Sequence, residues 1–296
     1  MDDFLLELIY VVQSIVDGIL FGTTYALIGI GFTLIFGVMH KLNLAYGAVS
    51  IGGAYASLMI FHLVPSPIVA YLASAVATGA FGYLVYLCCF RFLPLSNPLA
   101  PLMATVGAFL FIDEVIVHAT NGMPEPYPSV FDEMIFFGEF GLRSDLLFVF
   151  AIGLISMLVL MYVLYRTRLG LAVRAVSQQP VAAELCGMSQ ERTNAITFVI
   201  TGALGGVAGA MIGASVGVLS PLLVAPITIK GLIVTVIGGL GSIPGAIIAG
   251  LAVGAFENLF QYFRGVTERD MYVMLLLFLF LTFRPGGIFS SSIGRD

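Results

Sequence analysis

The chain has 296 residues, of which 59% are hydrophobic and 10% charged, with a formal net charge of −5. A soluble domain carries about 25% charged residues, so this composition excludes a soluble globular fold, and the acidic surplus implies no nucleic-acid surface. Residues 146–165, 193–229 and 231–256 hold no charged side chain, and roughly 20 apolar residues suffice to cross about 30 Å of hydrocarbon as a helix.

In chain order, apolar length and Pro/Gly punctuation predict an all-α integral membrane protein, a polytopic bundle of about eight spans. They lie near 8–36, 44–63, 68–91, 99–119, 146–165, 193–216, 231–260 and 268–284. The first is expected to be retained as a helix, because Asp2 and Asp3 stand where a signal peptide carries basic residues. Pro65 and Pro67 separate the second span from the third, and Pro94, Pro98 and Pro101 punctuate the link to the fourth. The last is weak: only 271–283 is uncharged, so it must recruit the Glu268–Asp270 flank or thin the bilayer locally.

Lys and Arg set the orientation. The segment 166–192, with Arg166, Arg168, Arg174 and Arg192, is expected in the cytoplasm. The segment 120–145 carries Glu125, Asp132, Glu133, Glu139 and Asp145 against Arg143 alone, and is expected outside. Counting back places Arg91 and His40–Lys41 inside and Asp2, Asp3 and Glu7 outside. Counting forward puts Arg284 and Arg295 outside, the one discordant point.

Membrane helices associate through close packing of small residues. The sixth span spaces Gly202 with Gly206, Gly205 with Gly209, and Gly209 with Gly213; the first spaces Gly18 with Gly22, and the seventh Gly250 with Gly254. These helices are expected at the interior of the bundle. Gly238, Gly239, Gly241 and Pro244 predict an interrupted helix near 236–245, and LNLAYGAVSIGG predicts another near 42–53. Gly47-Ala48 followed by Gly52 echoes Gly245-Ala246 followed by Gly250, a faint sign of an internal repeat. Broken helices at membrane depth line protein or water and mark solute pathways.

Within 166–192, Gln178-Gln179-Pro180 signals a helix start and Gly187 its end. A short amphipathic helix there is either a corner resting on headgroups or a knob for a soluble partner. The spacing Ala182-Ala183-x3-Gly187 resembles the coupling loop of ATP-binding-cassette (ABC) importer permeases, in which Glu-Ala-Ala is followed four residues later by Gly; Val181 occupies the Glu position. RTRLGLAVRAVSQQP, VIGGLGSIPGAIIAG, YALIGIGFTLIFGVMHKLNLAYGAVSIGGAYASL and RPGGIF (284–289) resemble, in order along nearly the whole chain, the permeases of Liv-type branched-chain amino-acid importers. Two stretches depart from that family: Asn43-Leu44-Ala45-Tyr46-Gly47 stands for Asn-Phe-Ala-His-Gly, and Asp113 stands where relatives carry Gln or Arg.

The resemblance implies one permease domain over 1–296 in a bacterial or archaeal inner membrane, with 166–192 as the cytoplasmic coupling loop. It implies a second permease subunit, two cytoplasmic ATPase subunits that hold ATP and magnesium, and a periplasmic solute-binding protein. Arg174, Pro180, Val181, Ala182, Ala183, Glu184 and Gly187 are then expected to couple to the ATPases. Asn43, Tyr46, Gly47, Asp113, Glu114, Gly239 and Gly241 are the candidates for the solute pathway, with interfacial placement the rival for the polar ones. Glu257-Asn258 is expected as a helix-end anchor or interhelical bond rather than a gate. His40, His62 and His118 lie at span ends, and Cys88, Cys89 and Cys186 lack metal-ligand spacing, so no metal site is expected. No phosphate-binding Gly-rich loop ending in Lys-Ser or Lys-Thr occurs, so no cofactor is expected on this chain, and no catalytic constellation is present. The alternative function is a secondary transporter or channel for a small polar solute, for which Asp113 is the coupling candidate.

Overall fold

The structure is a computed structural model that describes residues 2–93, 99–128, 134–137, 140–266, 268–284 and 286–289. Pro94, Pro98, Asp132, Glu133, Glu139, Pro285 and Arg295, used above, lie outside the described residues. The helices are α1 (Asp2–Met39), α2 (Ala45–Leu63), α3 (Pro67–Tyr86, continued by a π-turn over Leu87–Arg91), α4 (Leu99–Thr120), α5 (Ser144–Arg166), α6 (Arg168–Gln178), α7 (Pro180–Leu185), α8 (Gln190–Val216), α9 (Val224–Gly238), α10 (Ile243–Arg264) and α11 (Arg269–Phe283). Among the described residues, eight helices are long and apolar enough to cross a membrane.

Those eight are not the eight expected. The stretch 231–260 is not one span: it divides between α9 and α10, with a turn at Gly239–Ser242; α10 is long enough to cross, and so is α9 together with the preceding turn from Pro221. Hydropathy does not register a turn made of apolar and small residues. The turn requires glycine, because Gly239 and Gly241 hold φ of +100° and +88°, which L side chains rarely adopt. Ser242 caps α10 by accepting the Gly245 N–H at 3.3 Å. The α11 helix, only 15 residues long, then returns the chain to the end that carries 166–192. There the Ile288 and Phe289 amides donate to the Ile237 and Gly238 carbonyls. The extra crossing corrects the position of Arg284, which sits at the basic end, and moves Arg264 and Arg269 to the opposite end.

At the opposite, acidic end, short strands tie the loops. β1 (Glu125–Pro126) pairs antiparallel with β4 (Val218–Leu219), and β2 (Met134–Phe137) forms a hairpin with β3 (Phe140–Arg143). Ser57 and Tyr127 share a hydrogen bond of 2.9 Å below them. Burial raises the Tyr127 phenol above its ordinary pKa, opposed by the Ser57 bond, so it stays neutral.

The expected interior helices are the ones that touch. α1 and α10 form the most extensive helix pair: Gly18 faces the Gly254 backbone, and Gly22 that of Gly250. In α8, Gly202 and Gly206 lie on the α3 backbone around Thr78 and Ser74, Gly209 lies on the Ser50 carbonyl of α2, and Gly213 receives the Tyr127 ring. A Cβ at any of these would meet backbone or a rigid ring. The Gly spacing was therefore a contact map, with α8 lying between α2 and α3.

Candidate functional site

The second expected interruption is real but displaced. The break runs over residues 40–44, with His40 at φ +53°, and 45–53 is continuous helix. Gly47 and Gly52 do not break α2. Gly47 instead lets the helix approach the Thr228 side chain of α9. Thr228 lies ten residues from the end of α9 at Gly238, so α2 begins about 15 Å in from the basic end at 1.5 Å per residue, near the middle of a bilayer core about 30 Å thick.

Three buried features meet at this start. Tyr46 is fully enclosed: its ring makes an edge-to-face contact with Phe32 (4.9 Å) and fills space left by Gly31 and Gly205. Its hydroxyl and the Oδ1 of buried Asn43 have no hydrogen-bond partner among the described residues. The first turn of α2 has no side-chain cap; the Tyr46 N–H reaches the Asn43 carbonyl at 3.4 Å, and the other N–H groups of the turn lack a capping side chain. A buried orphan costs about 1–3 kcal/mol, and a place that gathers several is built for something polar to visit.

The other pathway candidates lie elsewhere. Asp113 and Glu114 sit on the peripheral α4, half-buried and exposed, without an ion pair among the described residues. Gly239 and Gly241 form the turn at the basic end, against Gly287 and Gly37. The structure unites Asn43, Tyr46 and Gly47 and leaves these four apart.

At the basic end, α6 is a helix that sequence reading left as flank. Thr167 caps it, and Gly170, Val173 and Val176 form its buried stripe. α7 follows as expected. Ala183 is buried at 4% exposure, while Val181 (71%) and Leu185 (87%) stand outward one turn apart. Gly187 closes the helix at φ +83°, with the Met188 amide returning to the Ala183 carbonyl at 3.0 Å. Glu184 opens onto a cleft of about 330 Å³ with Met39, Arg91, Glu191 and buried Asn194, where Arg91 and Glu191 pair at 2.7 Å. Arg174 faces away from α7, toward the ends of α1 and α10.

Sequence reading missed a buried charge cluster. Lys230 of α9 (5% exposed) contacts Glu257 of α10 (2% exposed) at 2.8 Å and Asp270 of α11 at 2.7 Å. Arg269 reaches Glu257 at 2.8 Å, and Tyr25 of α1 donates to Glu257 at 3.1 Å. Two cations meet two carboxylates, so the cluster is neutral and binds four helices, and Glu257 is the interhelical bond expected of it. Lys230 had served only to delimit two charge-free stretches. The polar face on α1 was also missed: Gln13 and Asp17 line a pocket with Asn258 and Gln261 of α10, and the signal was their four-residue spacing.

Among the described residues no three His, Cys, Asp or Glu side chains come together as a metal site. What the helices frame is a buried polar opening and an exposed lever at one end, the makings of a polytopic membrane permease. A family model for the permease component of branched-chain amino acid transport systems matches residues 14–282, and the chain belongs to that family, as a membrane-spanning subunit of an ABC importer. The chain is 31% identical to the high-affinity branched-chain amino acid permease protein BraD of Pseudomonas aeruginosa, over 95% of this chain and 96% of that one. It is 29% identical to LivH of Escherichia coli over the same shares. A probable LivH of Methanocaldococcus jannaschii is also 29% identical, over 85% of this chain and 82% of the relative. Among solved structures, a metal-chelate-type ABC transporter in an inward-facing conformation shares the fold at a TM-score of 0.52 and 15% identity, covering 92% of this chain and 84% of that one.

Proposed function

We propose that this chain carries branched-chain or closely related amino acids inward across the plasma membrane of its cell, beside a second permease copy or homologue. Two ATPase subunits, which hold the ATP and magnesium, drive it from the cytoplasmic end, and a solute-binding protein delivers from the acidic, outer end. The observation that carries this is α7: two large aliphatic side chains, Val181 and Leu185, stand in water on a rigidly capped turn. An apolar pair on a soluble face implies a partner groove. Val181, in place of the family's glutamate, makes that contact apolar rather than ionic.

Closure of the ATPases presses α7, and the Glu184 cleft relays the shift to Met39, next to the 40–44 break. The solute's polar groups bind at the start of α2, where its free N–H groups and the Asn43 and Tyr46 side chains replace water. The peripheral place of Asp113 removes support from ion-coupled secondary transport.

The test reconstitutes the chain with its ATPase and binding protein in vesicles and follows radiolabelled leucine. The expected result is uptake that needs ATP and falls at least tenfold in Val181→Asp and Leu185→Asp while the complex still assembles in the membrane. Uptake by the chain alone on an ion gradient overturns the proposal.

A further inference from the structure

A cavity of about 360 Å³ at the basic end belongs neither to the α2 opening nor to α7. It lies where the ends of α1 and α5, the inner face of α6, the α9–α10 turn and Phe289 converge. Its polar side sets donors beside the carbonyl ends of α1 and α5, and its charged group is Arg174. Thr33 is 1% exposed, and its hydroxyl has no partner. The carbonyl one turn back, that of Gly29, to which a helical threonine ordinarily donates, already accepts from Thr235 at 3.1 Å. α10 begins here: Pro244 has no N–H and Gly245 is capped by Ser242, which leaves the Ile243 amide as the open donor of the first turn. The Ser177 hydroxyl donates to the Arg174 carbonyl at 2.8 Å. The Arg174 guanidinium rests 5.4 Å from the Tyr165 ring and has no carboxylate partner among the described residues. No acidic side chain lines the cavity, and Leu34, Val38, Val173 and Phe289 give it an apolar wall.

We propose that this cavity binds a phosphate-type oxyanion at the level of the cytoplasmic headgroups. Three donors converge on it: the Arg174 cation, an orphaned buried hydroxyl and the positive end of a 22-residue helix. Basic pockets between membrane helices on the cytoplasmic side suit anionic headgroups, and the apolar wall suits the body of a lipid. The ligand bridges α6 to α1 and α10, so it stiffens the joint between the cytoplasmic helices and the bundle. The site stands on this geometry and not on the transport proposal.

The test places the purified complex in nanodiscs of phosphatidylcholine, with or without phosphatidylglycerol, and separately adds inorganic phosphate to the lipid without phosphatidylglycerol. Thermal melting and native mass spectrometry of retained lipid are the readouts. Expected is a rise in Tm and one retained phosphatidylglycerol per chain, with affinity weakened about tenfold in Arg174→Gln through loss of one charged hydrogen bond, less in the near-isosteric Thr33→Val, and unchanged in Arg166→Gln. A rise with phosphate alone assigns the free ion as the source; a rise only with phosphatidylglycerol assigns the lipid. No rise from either, or an equal loss in Arg166→Gln, overturns the site.

Discussion

The two breaks in the helical path look alike in sequence and differ in kind. The break at 239–242 is a surface turn: its glycines pack on Gly37 and Gly287, and its helix start is capped. The break at 40–44 opens inside the bundle, where α2 begins uncapped and two buried polar atoms lack partners. Glycine content marks where a chain bends, and only packing shows at what depth. The first break is a place of closure, the second a place left open, and each can be tested by filling or emptying it.

The largest effect is expected in the charge cluster that joins α9, α10 and α11. Glu257→Ala strands Lys230 and Arg269 without their shared carboxylate, and removing one partner of a buried pair costs about 3–5 kcal/mol; the detergent-solubilised protein should lose its monodisperse peak in size-exclusion chromatography. Next, Gly245→Val drives a side chain into the Gly238 backbone across the turn. Overpacking of this kind costs about 1–3 kcal/mol, and thermal melting should show it with no rescue by small neighbouring substitutions. At the open break a Cβ on Gly47 meets the Thr228 hydroxyl, Cβ and Cα, so Gly47→Ala should also lower Tm, with only part of the loss restored by Thr228→Ala, which removes the hydroxyl and keeps Cβ and Cα. The smallest stability effect is expected for Tyr46→Phe, which deletes an unpartnered hydroxyl. Tm should hold or rise, while the apparent KM for leucine uptake rises severalfold.

Much of this was legible in the chain itself. The spacing of Gly18 with Gly22 and of Gly250 with Gly254 marked α1 and α10 as interior helices, because four-residue periodicity survives folding unchanged; that the two pack on each other came from the structure. α7 and its Gly187 stop were legible for the same local reason. The α9–α10 division was not: a turn of glycine, leucine and serine lowers hydropathy too little to separate two spans. Lys230 was invisible as a cluster member because its partners lie 27 and 40 residues away, and sequence distance says nothing about four helices converging. α6 escaped because its buried stripe is a glycine and two valines in a polar stretch, and the β1–β4 pairing joins two residues to two across the 91 between Pro126 and Val218. The start of α2 at mid-depth followed only from the Gly47–Thr228 contact.

The claim that the open break, and not the closed one, receives the solute is tested most directly by protection from chemical modification. Single cysteines at positions 43 and 241, in a chain with Cys88, Cys89 and Cys186 replaced by alanine, are labelled with a small thiosulfonate in the reconstituted transporter. Leucine with its binding protein and ATP should slow labelling at position 43 and leave position 241 unchanged. Protection at 241 alone, or at neither position while leucine is transported, contradicts it.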